Sequence, residues 1–166
     1  MMRRADQDRF ASLAAEVVEP LRRYLARRTD TATAEDLLNE TLLVCWRRLD
    51  DVPTDSPVPW AIGVARLNLA NAQRSDRRRE RLIHAIAAAD PLSYIHHEPL
   101  DDRASVQVAS ALTMLSDNDA EVLRLWAWEQ LGPAEIARSL DISVNAAAVR
   151  LHRAKNRLRT HLIKLR

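Results

Sequence analysis

The stretch from Leu131 to Leu165 constrains this chain more than any other. It begins Leu131-Gly132-Pro133-Ala134-Glu135-Ile136-Ala137-Arg138-Ser139-Leu140-Asp141-Ile142-Ser143-Val144-Asn145. Pro133 suits the first turn of a helix, where its missing N–H is not needed. Ile136, Ala137 and Leu140 give that short helix one apolar face. Asp141-Ile142 makes a turn, and Ser143 is a good N-cap for a longer helix behind it. Two helices linked this tightly form a helix-turn-helix, whose second helix enters the major groove of DNA.

With residues set about 100° apart around the second helix, Val144, Ala147, Leu151, Ala154, Leu158 and Leu162 share one narrow stripe, the expected buried face. Asn145, Val149, His152, Arg153 and Asn156 lie opposite, with Arg150 and Arg157 on one edge and Lys155 and Arg159 on the other. From Val144 to Arg166 there are seven Lys or Arg and no Asp or Glu, so all the charge on the exposed face is positive. Flanking cations meet phosphates, and central Asn, His and Arg reach base edges. Val149 has little structural use in the middle of a solvent face, but it can touch a thymine methyl.

Hydrophobic residues make up 47% of the 166, enough to bury a core. With only two glycines and no β-branched runs, the chain is expected to be all-α. The formal charge of +2 hides a segregation: residues 82 to 119 hold six acidic residues against Arg103 alone, and the arginines lie on either side. Segregated positive charge points to a polyanion. Cys45 is the only cysteine, so no internal disulfide can form and a reducing compartment is expected. No signal-peptide core follows the N-terminus and no apolar run approaches membrane-spanning length, so a soluble cytoplasmic protein without membrane insertion is expected.

Phe10 to Arg28 reads as a first helix, with Phe10, Leu13, Ala14, Val17, Val18, Leu21 and Leu25 at helical spacing and Pro20 kinking or dividing it. Arg22, Arg23, Arg27 and Arg28 read as solvated surface. Thr33 with Asp36 resembles a capping box opening a helix from Ala34 to Leu49, with Leu37, Leu38, Leu42, Cys45 and Leu49 inward and Glu35, Asp36, Asn39, Glu40 and Val44 outside or at the edge. Asp50 to Pro59, with three prolines in ten residues, reads as a loop. Helix resumes from Trp60 to Arg74 and ends in Arg74-Ser75-Asp76-Arg77-Arg78-Arg79-Glu80-Arg81, a second candidate nucleic-acid contact.

Two helical domains are therefore expected, residues 5–83 and 104–166, joined by a flexible acidic linker over 84–103 that contains Pro91, Pro99, His84, His96 and His97. The histidines lack the partners of a metal site. Arg103 to Leu115 reads as helix, and Ser116-Asp117-Asn118-Asp119 as a capping box for the next, with Val122, Leu123, Leu125 and Trp126. Asp36 and Glu40 stand one turn apart, as bundle carboxylate ligands do, but no companion ligands accompany them. No metal or other cofactor is expected. A nucleophile–base pair and a glycine loop for phosphates are also missing, which argues against an enzyme.

Two blocks together resemble the extracytoplasmic-function (ECF) sigma factors of bacterial RNA polymerase. Ala34-Glu35-Asp36-Leu37-Leu38-Asn39-Glu40-Thr41, Trp46-Arg47-Arg48-Leu49 and Pro59-Trp60-Ala61-Ile62-Gly63-Val64-Ala65-Arg66 resemble region two of that family. Leu115-Ser116, Leu123-Arg124-Leu125, Glu135-Ile136-Ala137 and Arg150-Leu151-His152-Arg153-Ala154-Lys155 resemble region four. The chain departs from the family in carrying Asn145-Ala146-Ala147-Ala148-Val149 where Gly-Thr-Val-Lys-Ser is usual, and Leu67 where Asn is usual, with Asn68 and Asn71 nearby.

The resemblance implies a promoter-specificity subunit. Asp36, Asn39 and Glu40 would dock on the clamp helices of the polymerase β′ subunit, and the second domain would meet the β flap. Trp60, Asn68, Asn71, Arg74, Arg77 and Arg78 would hold the melted minus-ten element, aided by the proline-rich loop. Asn145, Ala146, Val149, Arg150, His152, Arg153, Lys155 and Arg157 would read the duplex minus-thirty-five element. Promoter DNA, core RNA polymerase and an anti-sigma factor are the implied partners. The alternative is a stand-alone helix-turn-helix regulator, which predicts a dimer reading a palindrome; residues 1 to 80 show neither a coiled-coil seam nor a ligand pocket to serve it.

Overall fold

A computed structural model describes residues 4–86 and 103–164, with side chains over 4–81 and 107–164. Most of the expected linker, including Pro91, His96, His97 and Pro99, lies outside those residues. Among the described residues there is no strand, and the chain is all-α. No described helix is long and apolar enough to cross a membrane. The chain divides into two compact units, Met1–His96 and His97–Arg166.

The first unit is built on α1 (Arg4–Ala26), α2 (Thr31–Arg47) and α3 (Pro57–Ile86), each packed on the other two. Val17, Leu21, Tyr24 and Leu25 of α1 meet a core of Leu37, Leu38 and Cys45 from α2 and Ala61, Ile62, Ala65 and Leu69 from α3. Of the two outcomes expected at Pro20, division does not occur: α1 runs through it as one helix. An interior proline costs about 3 kcal/mol, whereas each large apolar side chain fully buried gives about 1.5–3 kcal/mol. Val17, Leu21, Tyr24 and Leu25 surround Pro20 on the buried face, so packing wins. Phe10 closes the outer end of the core edge-on against Trp46, ring centroids 5.0 Å apart. Arg22 is less free than expected: it reaches Glu35 of α2 at 3.3 Å and Glu19 at 3.5 Å.

The start of α2 differs from the expected Thr33 cap. Asp30 is the N-cap, and its carboxylate accepts the Thr33 N–H at 3.0 Å. A carboxylate at this position satisfies an orphan donor and also meets the positive end of the helix dipole. The hydrogen bonds from Thr33 hold the Asp30 pKa below the ordinary carboxylate value. A lowered folded-state pKa gives stability that is full above the unfolded pKa and disappears as pH falls through the folded one. Asp30→Ala is therefore expected to melt earlier than the parent at neutral pH, and the gap should close once both are acidified below the carboxylate range. A gap unchanged in acid would show that the side chain acts through something other than its charge.

A single 3-10 turn, Leu49–Asp51, follows α2, and α3 begins at Pro57. The proline-rich segment is thus shorter than the expected loop, because Pro57 and Pro59 sit in a first helical turn, where no N–H is needed. Helix α3 also continues through the arginines to Ile86.

The second unit contains α4 (Arg103–Thr113), α5 (Asp117–Ala127), α6 (Pro133–Leu140) and α7 (Val144–Lys164), and α7 packs on the other three. Ser116 caps α5, accepting the Asp119 N–H at 3.3 Å. The reciprocal half of a capping box is absent, since the Asp119 carboxylate is engaged by Arg157 of α7. After α5 the chain reverses at Gln130, a left-handed residue (φ 56°), and the Leu131 N–H closes on the Leu125 carbonyl at 3.1 Å. Glu135 accepts the Gly132 N–H at 2.8 Å, which fixes the start of α6. Asp141 (φ 53°) then turns the chain with the Ile142 N–H on the Ala137 carbonyl at 3.0 Å. Ser143 caps α7 by accepting the Ala146 N–H at 3.1 Å. Helix, turn and helix thus follow the sequence expectation.

Candidate nucleic-acid interface

Ala147, Leu151 and Ala154 are the buried side chains of α7, with Leu158 and Leu162 half-buried on the same stripe. Val144 departs from the expectation: it is 54% exposed. It is the first residue of the helix. Asn145, Val149, His152, Arg153 and Asn156 are all exposed, so the predicted reading face is presented to solvent. Ala146 is half-buried and gives its N–H to the Ser143 cap. His152 Nε2 and Asn156 Nδ2 lie 3.1 Å apart, a neighbour contact that orients both.

The flanking cations separate into two kinds. Lys155 sets its Nζ over the Trp126 ring, 3.5 Å from the centroid. Arg157 donates to Asp119. Both are tied to α5, and both lie about 17–20 Å along the axis from the start of α7, at 1.5 Å per residue. A recognition helix touches bases with its N-terminal residues. Arg150 and Arg153 stand nearer that end, and Arg153 is exposed.

In the first unit, α3 carries a second exposed stripe. Trp60, Leu67, Asn71, Arg74 and Arg78 fall within a narrow arc at about 100° per residue, spanning about 27 Å of helix. Leu67, which stands where the family usually has Asn, is 53% exposed. Trp60 is half-buried, with the Arg48 guanidinium 5.5 Å from its ring centre. Arg74 donates to Asn71 Oδ1 at 2.6 Å; Arg77 and Arg78 are exposed beside it. Asn68 is turned the other way. Its amide donates to Thr41 Oγ1 at 3.3 Å, and Thr41, fully buried, donates in turn to the Leu37 carbonyl at 2.7 Å. That chain of bonds joins α2 to α3.

A third surface lies on α2. Asp36, Asn39, Glu40 and the 46%-exposed Leu43 share one outward face. Glu35 differs from its neighbours in being paired with Arg22. Among the described residues Asp36 and Glu40 have no ion-pair partner, although like charges one turn apart cost a helix about 0.2–0.5 kcal/mol. Cys45, on the opposite face, is fully buried, and desolvation pushes its thiol pKa up to about 11. It is thus kept neutral and unreactive. Among the described residues no three His, Cys, Asp or Glu side chains gather as a metal site requires.

Residues 105–158 match the family model for sigma-70, region 4. The chain is 32% identical over 147 residues to the ECF RNA polymerase sigma factor SigL of Mycobacterium tuberculosis, covering 86% of this chain and 82% of SigL. It is 31% identical to the RNA polymerase sigma factor CarQ of Myxococcus xanthus, covering 96% and 92%. The chain belongs to the ECF sigma factor family. A probable sigma factor of Xanthomonas campestris, RfaY, is also 31% identical, but the chain spans only 36% of its length. The sigma factor RpoE of Bartonella quintana, solved in complex with the anti-sigma factor NepR, shares the fold (TM-score 0.63, 24% identity, 92% of this chain and 96% of that one). CnrH, solved with the cytosolic domain of CnrY, does so with TM-score 0.62 and 22% identity, over 95% and 90%. As a sigma factor, the chain is a subunit that directs RNA polymerase to particular promoters. The family is not a class of enzymes.

Proposed function

We propose that the three exposed surfaces divide the work of promoter selection. The N-terminal half of α7, through Asn145, Val149, Arg150, His152 and Arg153, reads the duplex minus-thirty-five element. The stripe on α3, from Trp60 through Asn71 to Arg74, Arg77 and Arg78, holds the melted minus-ten strand, with bases stacking on the indole and phosphates meeting the guanidiniums. Leu67 joins that stripe as an apolar wedge. Asn68 acts mainly by tying α3 to α2. Asp36, Asn39 and Glu40, with Leu43 among them, dock on the β′ clamp helices of core polymerase.

The observation that carries the first assignment is the exposed reading face of α7, where the apolar Val149 is 41% exposed. An apolar groove of about 450 Å³ between α4, α5 and α7, lined by Val108, Leu123, Trp126, Leu158, Leu162 and Ile163, supports docking of the β flap or of an anti-sigma factor on the second unit. Residues 5–83 and 104–166 serve as the two functional domains, the protein works in the cytoplasm with polymerase, and it performs no catalysis of its own.

Co-elution with bacterial core RNA polymerase, followed by run-off transcription on a promoter library, tests this reading. Stable binding with transcription from a defined promoter subset is expected. Tight, sequence-specific duplex binding by the chain alone, without affinity for polymerase, would instead establish a stand-alone regulator. On the selected promoter, Arg153→Ala should weaken discrimination at one minus-thirty-five position by about 1–3 kcal/mol, read as a fall in run-off that substitutions at that base pair no longer deepen. Uniform loss at every position would make Arg153 a phosphate contact.

A further inference from the structure

Arg157 occupies an edge of the DNA-facing side of α7, yet its guanidinium serves its own domain. Nη1 donates to Asp119 Oδ2 in the first turn of α5. The Asp119 side chain is only 9% exposed, against 60% for Arg157. We propose that Asp119 and Arg157 are positioning residues that set the roll of α7, and with it the register of Asn145, Val149, His152 and Arg153 on the promoter. The inference rests on the reading of α7 given above.

Two of the three buried side chains of α7, Ala147 and Ala154, are single methyl groups. Methyl groups make a smooth contact that resists translation into the neighbour but only weakly resists rolling. A charge-assisted hydrogen bond, in contrast, is directional. Asp119 is itself well anchored, through its N–H on Ser116 Oγ and a position that favours a carboxylate near the helix N-terminus. On the other flank of α7, Lys155 is held by Trp126 of the same helix α5. Arg157 and Lys155 lie on opposite flanks, about 160° apart around the axis. A helix tethered on both flanks to one neighbour cannot roll freely.

The magnitude is sufficient to matter. A roll of about 20° on a helix whose side chains reach about 5–6 Å from the axis moves their tips by about 2 Å. Recognition groups must be held to about 0.5 Å. Loss of the pair would therefore blur base reading without removing any group that touches DNA.

The test uses the full chain assembled with core polymerase, on the promoter that the library selects. Promoter binding is measured against salt and against minus-thirty-five substitutions for the parent, Arg157→Ala, Asp119→Ala, the double variant and Arg157→Lys. Each alanine variant is expected to lose about three- to thirtyfold of discrimination, and the double variant no more than either single one. The salt slope should stay unchanged, and Arg157→Lys should retain most of the parent's selectivity. If Arg157→Ala lowers the slope by about one while Asp119→Ala leaves selectivity intact, Arg157 is a phosphate contact and the proposal fails. It also fails if both variants melt earlier but the folded proteins discriminate like the parent. Should Asp119→Ala not fold, Asp119→Asn, which keeps the shape and removes the charge, decides by the same comparison. A parent holoenzyme indifferent to the upstream sequence would overturn the recognition-helix reading itself, a different failure from any of these.

Discussion

Reversing two charges, Asp36→Lys with Glu40→Lys, is expected to abolish co-elution with core RNA polymerase while leaving the fold intact. Both side chains are exposed on α2 and neither anchors a neighbour, so the thermal melt should move by no more than about 0.5 kcal/mol in stability. The helix exchanges one like-charge pair for another, so its own stability is little changed. At a docked interface the balance is opposite. Charges that steer and register a partner become like charges facing its basic surface, and such juxtapositions cost several kcal/mol. A loss of about 100-fold or more in affinity follows, since each 1.4 kcal/mol is tenfold. Retained co-elution at normal ionic strength would move the docking surface elsewhere, whereas Glu35→Ala, which breaks only the Arg22 pair, should bind as the parent does.

The second large effect is expected of Ala154→Glu. Ala154 is fully buried on the packed face of α7, one turn beyond Leu151. A carboxylate there has neither room nor a partner. Uncompensated burial costs several kcal/mol, a large share of what holds a domain this small. The second unit should lose its cooperative melt, and run-off should lose its dependence on the upstream element. Polymerase binding through α2 should survive, because the first unit has its own core around Leu21, Ile62 and Leu69. Preserved upstream selectivity would mean that the packed and reading faces of α7 are misassigned.

Much of this protein is dictated by local sequence. Scarce glycine and helical spacing of apolar residues determine an all-α chain, and Pro133, Asp141 and Ser143 determine where α6 starts, turns and gives way to α7. The exposed set Asn145, Val149, His152 and Arg153 follows from periodicity alone, because a helix turns by the same angle whatever it packs on. What periodicity cannot supply is the neighbour. Pro20 stays inside a continuous α1 because the buried residues around it outweigh its missing bond. Val144 belongs to the apolar stripe by angle but, as the first residue of α7, is exposed. Asn68 looks like a ligand-binding amide until Thr41 is brought beside it from α2. Arg157 and Lys155 count as DNA cations on a helical projection, yet Asp119 and Trp126, over 25 residues earlier in the chain, claim them. Side-chain commitments of this kind depend on long-range contacts, and only the tertiary structure decides them.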